Sequence, residues 1–268
     1  MSSAKLSLPD HEVHLWAAHP PKITDPSLLA RYHQWLNPRE QEKQRRFHFE
    51  KHRHAYLITR AVIRDLLARY TGTQPSTLAF GENEYGRPYL VPDQNNLGLH
   101  FNISHTDGLI VVGVVKGREI GVDVEFIQRG GDLVNIADRY FSEQEVSDLH
   151  ALPEREHTDR FFDYWTLKES YIKARGMGLS IPLGEFTFHL DGDIPIRISV
   201  DPRQKDPPNR WQFKQWRIGD RFKIALAVER QTGHTFETVF REIVPLSREA
   251  PYRPEPLRDG FDKPALKS

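Results

Sequence analysis

No cysteine occurs anywhere in the sequence. Disulfides, thiolate nucleophiles and thiolate metal sites are thereby excluded, and the absence fits a cytoplasmic protein. Neither sign of charge is in excess: Lys+Arg and Asp+Glu are both 37. No overall field therefore draws the chain to nucleic acid or to an anionic membrane, and any anion it binds must be held by a local cluster of basic residues. Long apolar runs are missing as well. The longest, Leu109–Val115, falls far short of the roughly 20 residues of a membrane helix, and the start Met1-Ser2-Ser3-Ala4-Lys5-Leu6-Ser7 lacks the apolar stretch of a secretory signal. The expectation is a soluble, cytoplasmic chain with no nucleic-acid or membrane partner.

What is present is enough for a full core. A hydrophobic share of 38% and a charged share of 28% over 268 residues suit one large domain or two of roughly 100–150 residues. After a strand over 12–17, the pair Asn37-Pro38 places proline where a first helical turn tolerates it, and a charged helical region follows to Tyr70. Its apolar face includes Leu57, Ile58, Ala61, Val62 and Leu66, and its positive charge comes from Lys43, Arg53, Arg60 and others. From Thr77 onward short apolar or alternating runs predict strands over 78–80, 99–103, 109–115 and 120–126, with Lys116-Gly117-Arg118 as a tight turn between antiparallel strands. Ser142-x-x-Glu145 has the spacing of a capping box, and a long helix over 158–175 should stop at Gly176. Further strands are expected over 185–190, 194–200, 211–218, 221–229 and 235–241, so each half reads as helices plus antiparallel strands, an α+β layout. Residues 245–268, with four prolines among charges after Pro245, read as an irregular tail.

Three segments carry chemistry. In Ile120-Gly121-Val122-Asp123-Val124-Glu125-Phe126 strand alternation puts both carboxylates on one face. At about 6.6 Å and an effective dielectric of ~20 they repel by about 2.5 kcal/mol, which a hard divalent cation such as magnesium would offset and an exposed strand face would tolerate. In Trp165-x-x-Lys168-Glu169-Ser170-x-x-Lys173, Glu169 and Lys173 are neighbours on a helix, either as an ordinary salt pair or as a metal ligand and a phosphate contact. Trp165 reads as core. In Phe101-Asn102-Ile103-Ser104-His105, adjacent strand residues face opposite ways, so Ser104 and His105 are badly placed as nucleophile and base, and phosphate binding by His105 fits better. Arg87, in Tyr85-Gly86-Arg87-Pro88, offers a planar donor fork to a phosphate from a turn. His48 and His52 lack a third ligand of clear identity, so zinc is not expected there.

Taken in order, Gly86-Arg87-Pro88, Phe101-Asn102-x-Ser104-His105, Gly121-x-Asp123-x-Glu125 and Trp165-x-x-Lys168-Glu169-Ser170-x-x-Lys173 closely resemble the 4'-phosphopantetheinyl transferases, in their larger, surfactin-synthetase-activating type. The resemblance implies a pseudo-dimer of two similar α+β halves with coenzyme A in the cleft between them. It implies residues 1–119 as the half that contacts the nucleotide and 120–244 as the half with magnesium and the carrier protein. It implies transfer of 4'-phosphopantetheine from coenzyme A to a serine of an apo acyl or peptidyl carrier protein, releasing 3',5'-ADP. By position, Asp123, Glu125 and Glu169 resemble the Mg2+ ligands; Glu169, Lys173 and His105 the catalytic set; and Lys43, Arg53, Arg87, Ser104, His105 and Lys173 the coenzyme contacts. Glu40 stands where some relatives have Lys, and Arg53 and Arg60 are candidates to compensate. Ile136–Phe141 resembles the region that docks the carrier, and a monomer is implied. The competing readings are a magnesium-dependent hydrolase of a nucleotide pyrophosphate, against which stands the lack of a Gly-x-x-x-x-Gly-Lys-[Ser/Thr] loop, and an inactive carrier-binding homologue.

Overall fold

A computed structural model describes residues 4–128, 131, 133–190, 195–231 and 236–260. The chain runs through the same series of elements twice. First come β1 (Glu12–Ala18), α1 (Pro26–Trp35), α2 (Pro38–Arg46), α3 (Glu50–Thr71), β2 (Phe80–Glu82), β3 (Pro88–Leu90), β4 (Leu99–Thr106) and β5 (Leu109–Lys116). Then come β6 (Ile120–Phe126), α4 (Leu133–Tyr140), α5 (Glu143–His150), α6 (Glu154–Arg175), β7 (Phe186–His189), β8 (Arg197–Val200), β9 (Trp211–Ile218) and β10 (Phe222–Glu229). Three strands follow: β11 (Glu237–Val244), β12 (Arg248–Pro251) and β13 (Glu255–Asp259). The α+β class is as expected.

Local chemistry sets the element ends. Asn37 and Ser142 each close a reciprocal capping box, with Glu40 and Glu145 at the third helical position. α3 and α6 both end on a glycine in the left-handed region, Gly72 at φ 79° and Gly176 at φ 67°. The helical region expected from Asn37 to Tyr70 is broken in two, because Phe47 and Phe49 are extended and cap the flanking helices.

Two larger sheets result, in the orders β12-β11-β1-β5-β4 and β13-β9-β10-β6. Alternation along the strands serves two cores at once. Trp16 and Ala18 of β1 pack toward α3, while Val13, Leu15 and Ala17 join Val122, Val124, Ile224 and Leu226 in a cluster between the sheets. Helices α4 and α6 cover the far side of the second sheet. The layers are therefore helix, sheet, sheet, helix.

Three expectations are corrected. The Lys116-Gly117-Arg118 turn closes no hairpin, since β5 and β6 belong to different sheets and the chain there crosses from one to the other. The strand expected at 235–241 lies at Glu237–Val244 and joins the first half's sheet, parallel to β1, rather than the second half's. The tail read as irregular forms β12 on β11 and β13 on β9, so it is pinned to both sheets; residues 261–268 lie outside the described residues. Proline placement accounts for the misreading: Pro251 and Pro256 sit in edge strands, where a missing N–H is tolerated.

Candidate active site

The site begins at an unusual strand edge. β6 pairs with β10 on one side only. On the other, its backbone donates to side chains of β4: Val122 N to Asn102 Oδ1 at 2.9 Å, Val124 N to Ser104 Oγ at 3.2 Å and Phe126 N to Thr106 Oγ1 at 3.3 Å. Three polar side chains at a spacing of two thus stand in for a neighbouring strand and join the two halves.

Gly121 makes the next approach possible. A Cβ there would lie 1.9 Å from the carbonyl oxygen of Ser170 and 2.4 Å from the nitrogen of Ala174, so only glycine lets the α6 backbone rest on β6. Two residues on, the same strand face presents Asp123, which is 3% exposed. Its Oδ1 accepts from Lys173 Nζ at 2.6 Å and from Ser104 Oγ at 2.9 Å, and Lys173 Nζ also donates to Ser104 Oγ at 2.9 Å. Asp123 Oδ2 is buried with no hydrogen-bond partner. Glu169, one helical turn before Lys173, has its pKa raised by burial first and by the charge of Asp123 second, with Lys173 opposing. An orphaned carboxylate oxygen beside a second carboxylate that resists ionisation is a donor set suited to a hard cation.

Glu125, the third expected ligand, accepts from Trp165 Nε1 at 2.9 Å, and Trp165 stacks on Phe161. Among the described residues, no three His, Asp or Glu side chains are gathered closely enough to hold a metal ion. The structure thus couples Asp123 with Glu169 and turns Glu125 toward Trp165.

Alongside this cluster a cavity of about 780 Å³, in the size range of small-molecule sites, is lined by Lys43, Tyr56, Arg60, His54 and His105, among others. His105 faces it from β4, opposite to Ser104, as alternation requires. Its pKa is lowered, by desolvation and then by Lys173, which ties the cavity electrostatically to the Asp123 cluster. Lys43 Nζ lies 5.9 Å over the Tyr56 ring at the rim.

Two family models match the chain on either side of the crossing between the sheets: 4'-phosphopantetheinyl transferase, N-terminal, over residues 24–116, and the 4'-phosphopantetheinyl transferase superfamily over residues 119–227. A 4'-phosphopantetheinyl transferase of Bacillus subtilis is 40% identical over 62% of this chain and 71% of its own length. The transferase Sfp of Bacillus subtilis is 36% identical over 73% of this chain and 83% of its own length, and HetI of Nostoc is 34% identical over 74% and 82%. The chain belongs to the 4'-phosphopantetheinyl transferase superfamily.

Within this transferase fold the expected site residues divide into two groups. Asp123, Glu169, Lys173 and Ser104 meet at the seam, and His105 and Lys43 line the cavity beside it. Arg87 and Arg53 have their donors engaged elsewhere. Arg87 donates to Glu119 and to the carbonyls of Ala174 and Ile120. Arg53 donates to Glu50 and to the carbonyls of Phe47 and His48. Glu40 does not face a ligand; it is buried and holds Arg64 and Arg60 on its two oxygens. Of the two arginines weighed as compensation, Arg60 lines the cavity. In the segment 136–141, Arg139 and Tyr140 are exposed while Phe141 is buried on Phe161.

Sequence reasoning missed Trp165 as the partner of Glu125, because its aromatic environment alone reads as core. It also missed Asn102 and Thr106. The signal for those two was present: polar residues at 102, 104 and 106 at a spacing of two on one face of the strand.

Proposed function

We propose that the chain transfers 4'-phosphopantetheine from coenzyme A to the serine of an apo acyl or peptidyl carrier protein. The supporting observation is the cluster of Asp123, Ser104, Lys173 and Glu169 beside the cavity that holds Lys43 and His105. The basic cavity binds the nucleotide end of coenzyme A, with Lys43 and His105 on its phosphates. The His105 pKa is lowered by desolvation and by Lys173, and an arriving phosphate would favour its charged form.

Asp123 and Glu169, with Glu125 swinging from Trp165, would hold a magnesium ion, which supplies neutralisation of the pyrophosphate oxygens and orientation of the reacting phosphorus. Lys173, which sits on Asp123 Oδ1 at 2.6 Å, would donate to the departing pyrophosphate oxygen. The carrier serine hydroxyl attacks the β-phosphorus and the bond to the α-phosphate oxygen breaks. The serine proton passes to Glu169, directly or through a water, and 3',5'-ADP leaves. A carboxylate whose pKa is raised by burial and by the charge of Asp123 suits that acceptor role. The exposed pair Arg139 and Tyr140 receives the acidic helix of the carrier. One chain supplies both walls of the cleft, so the working unit is a monomer, acting in the cytoplasm where coenzyme A and carriers meet.

The test is incubation with fluorescently tagged coenzyme A and an apo carrier protein, with and without chelator. The tag should move to the carrier and chelator should stop it. Release of tagged product without a carrier would mean a hydrolase, and coenzyme A or carrier binding without transfer would mean an inactive homologue.

A further inference from the structure

Arg87 belongs to the turn between β2 and β3 in the first half, but its guanidinium reaches into the second. One terminal nitrogen donates to Glu119 Oε2 at 2.5 Å and to the carbonyl of Ala174 at 2.9 Å; the other donates to the carbonyl of Ile120 at 2.9 Å. Ile120 opens β6, and Ala174 follows Lys173 in the last turn of α6. Carbonyls of a last helical turn have no partner within the helix. Here the Ala174 carbonyl is met from outside by Arg87, and the carbonyl of the capping Gly176 by Asn83, whose amide donates to it at 2.8 Å.

The turn that carries Arg87 is itself held. Asn83 Oδ1 accepts from the backbone nitrogens of Tyr85 at 3.0 Å and Arg87 at 2.8 Å, and Gly86 takes the left-handed conformation at φ 81° that such a tight reversal requires. The Arg87 side chain is 15% exposed, so it is a partly buried fastening rather than a free surface charge.

We propose that Arg87 is a positioning residue that gathers the start of β6 and the end of α6 onto one guanidinium, and so sets the spacing between Asp123 on the strand and Glu169 and Lys173 on the helix. The three acceptors lie in different directions, which a rigid fork of five N–H donors can span and a single ammonium cannot. The role differs from a phosphate contact in what it predicts: it governs the geometry of the reacting groups and leaves the nucleotide cavity alone. It rests on the reading of Asp123, Glu169 and Lys173 as the reaction centre.

The experiment uses the full chain carrying Arg87→Lys or, as a milder variant, Glu119→Gln, with thermal unfolding to confirm folding. Coenzyme A affinity is measured by calorimetry without carrier, kcat with saturating coenzyme A and carrier, and amide exchange across 174–176 by mass spectrometry. Arg87→Lys should leave the Kd for coenzyme A within about twofold while lowering kcat by about 10-fold or more, in the direction of the ~10²-fold that a 1 Å misplacement brings. Glu119→Gln should shift kcat the same way by less, and exchange at the end of α6 should quicken in both. A raised Kd with kcat intact would make Arg87 a phosphate ligand, and wild-type kcat and exchange in both variants would remove the clamp altogether. If the unmodified chain itself bound no coenzyme A and modified no carrier, the proposed function would fail instead, and unchanged exchange at 174–176 would still count against the clamp.

Discussion

Helices α3 and α6 are both 22 residues long, both end on a left-handed glycine, and each carries one buried cation eight residues before that glycine: Arg64 in the first, Lys168 in the second. Each cation is held by a glutamate at the third position of a capping box on the preceding helix, Glu40 for Arg64 at 2.8 Å and Glu145 for Lys168 at 2.6 Å. The next residue is acidic in both, Asp65 or Glu169, with a base four further on, Arg69 or Lys173. The strands correspond too. Trp16 pairs with Val112, the fourth residue of β5, as Asp123 pairs with Ala225, the fourth of β10; Ala18 matches Glu125 in the same way, each opposite a second residue. One half thus holds Trp16 and Ala18 where the other holds Asp123 and Glu125. The edge of β1 is covered by β11, whereas the edge of β6 is met only by side chains of β4. The scaffold is duplicated, and among the described residues the carboxylate-bearing strand is the one whose second edge is met by side chains rather than by a strand.

The largest expected effect breaks that asymmetry. Asp123→Ala or Glu169→Ala removes one of the carboxylates gathered in the second half and should lower turnover by at least roughly 10²-fold, taking the loss of an electrostatic stabiliser as the guide; intact-mass analysis of the carrier checks it, and near-normal turnover would rule out the assignment. Next in size, Lys168→Met leaves Glu145 fully buried without its cation, which should cost about 3–5 kcal/mol in urea unfolding. A loss below about 1 kcal/mol would show that the pair is not the structural anchor of α6.

A third effect sharpens the contrast between Asp65 and Glu169. Burial, outweighing Arg69, pushes the Asp65 carboxyl from 3.8 up to about 6. A raised acid binds its proton more tightly in the folded state, so stability falls as pH rises through that window, by about 3 kcal/mol in all, and does not change further above it. Asp65→Asn should flatten the decline in denaturant midpoint between pH 4 and 6, and an unchanged decline would mean other groups cause it. Smallest is Ser104→Ala, which removes hydrogen bonds to Asp123 and from Val124 and should cost about 1 kcal/mol of stability.

Much of this was legible from residue order. Alternation put Asp123 and Glu125 on one face, helical spacing put Glu169 beside Lys173, and capping signals located the ends of α5 and α6, because each of these depends on neighbours in the chain. What was not legible depends on partners far away. The Arg87 side chain meets acceptors 32 to 87 positions distant, so a turn arginine and an inter-half clamp look alike in sequence. Glu40, which reads as an odd charge among basic residues, is explained only by Arg60 and Arg64 a helix away. The two-halved layout was legible from the order of elements and from the resemblance, but the residue-by-residue correspondence was not, because Trp16 stands against Asp123 and Arg64 against Lys168, leaving little sequence identity to detect.

The central claim is that only one of two like halves gathers carboxylates around a divalent cation. Titration of Mn2+ into the chain with coenzyme A present, followed by electron paramagnetic resonance, tests it directly. One tightly bound ion per chain, lost in Glu169→Gln and retained in Asp65→Asn, is the predicted result; two ions per chain, or one that survives Glu169→Gln, would contradict it.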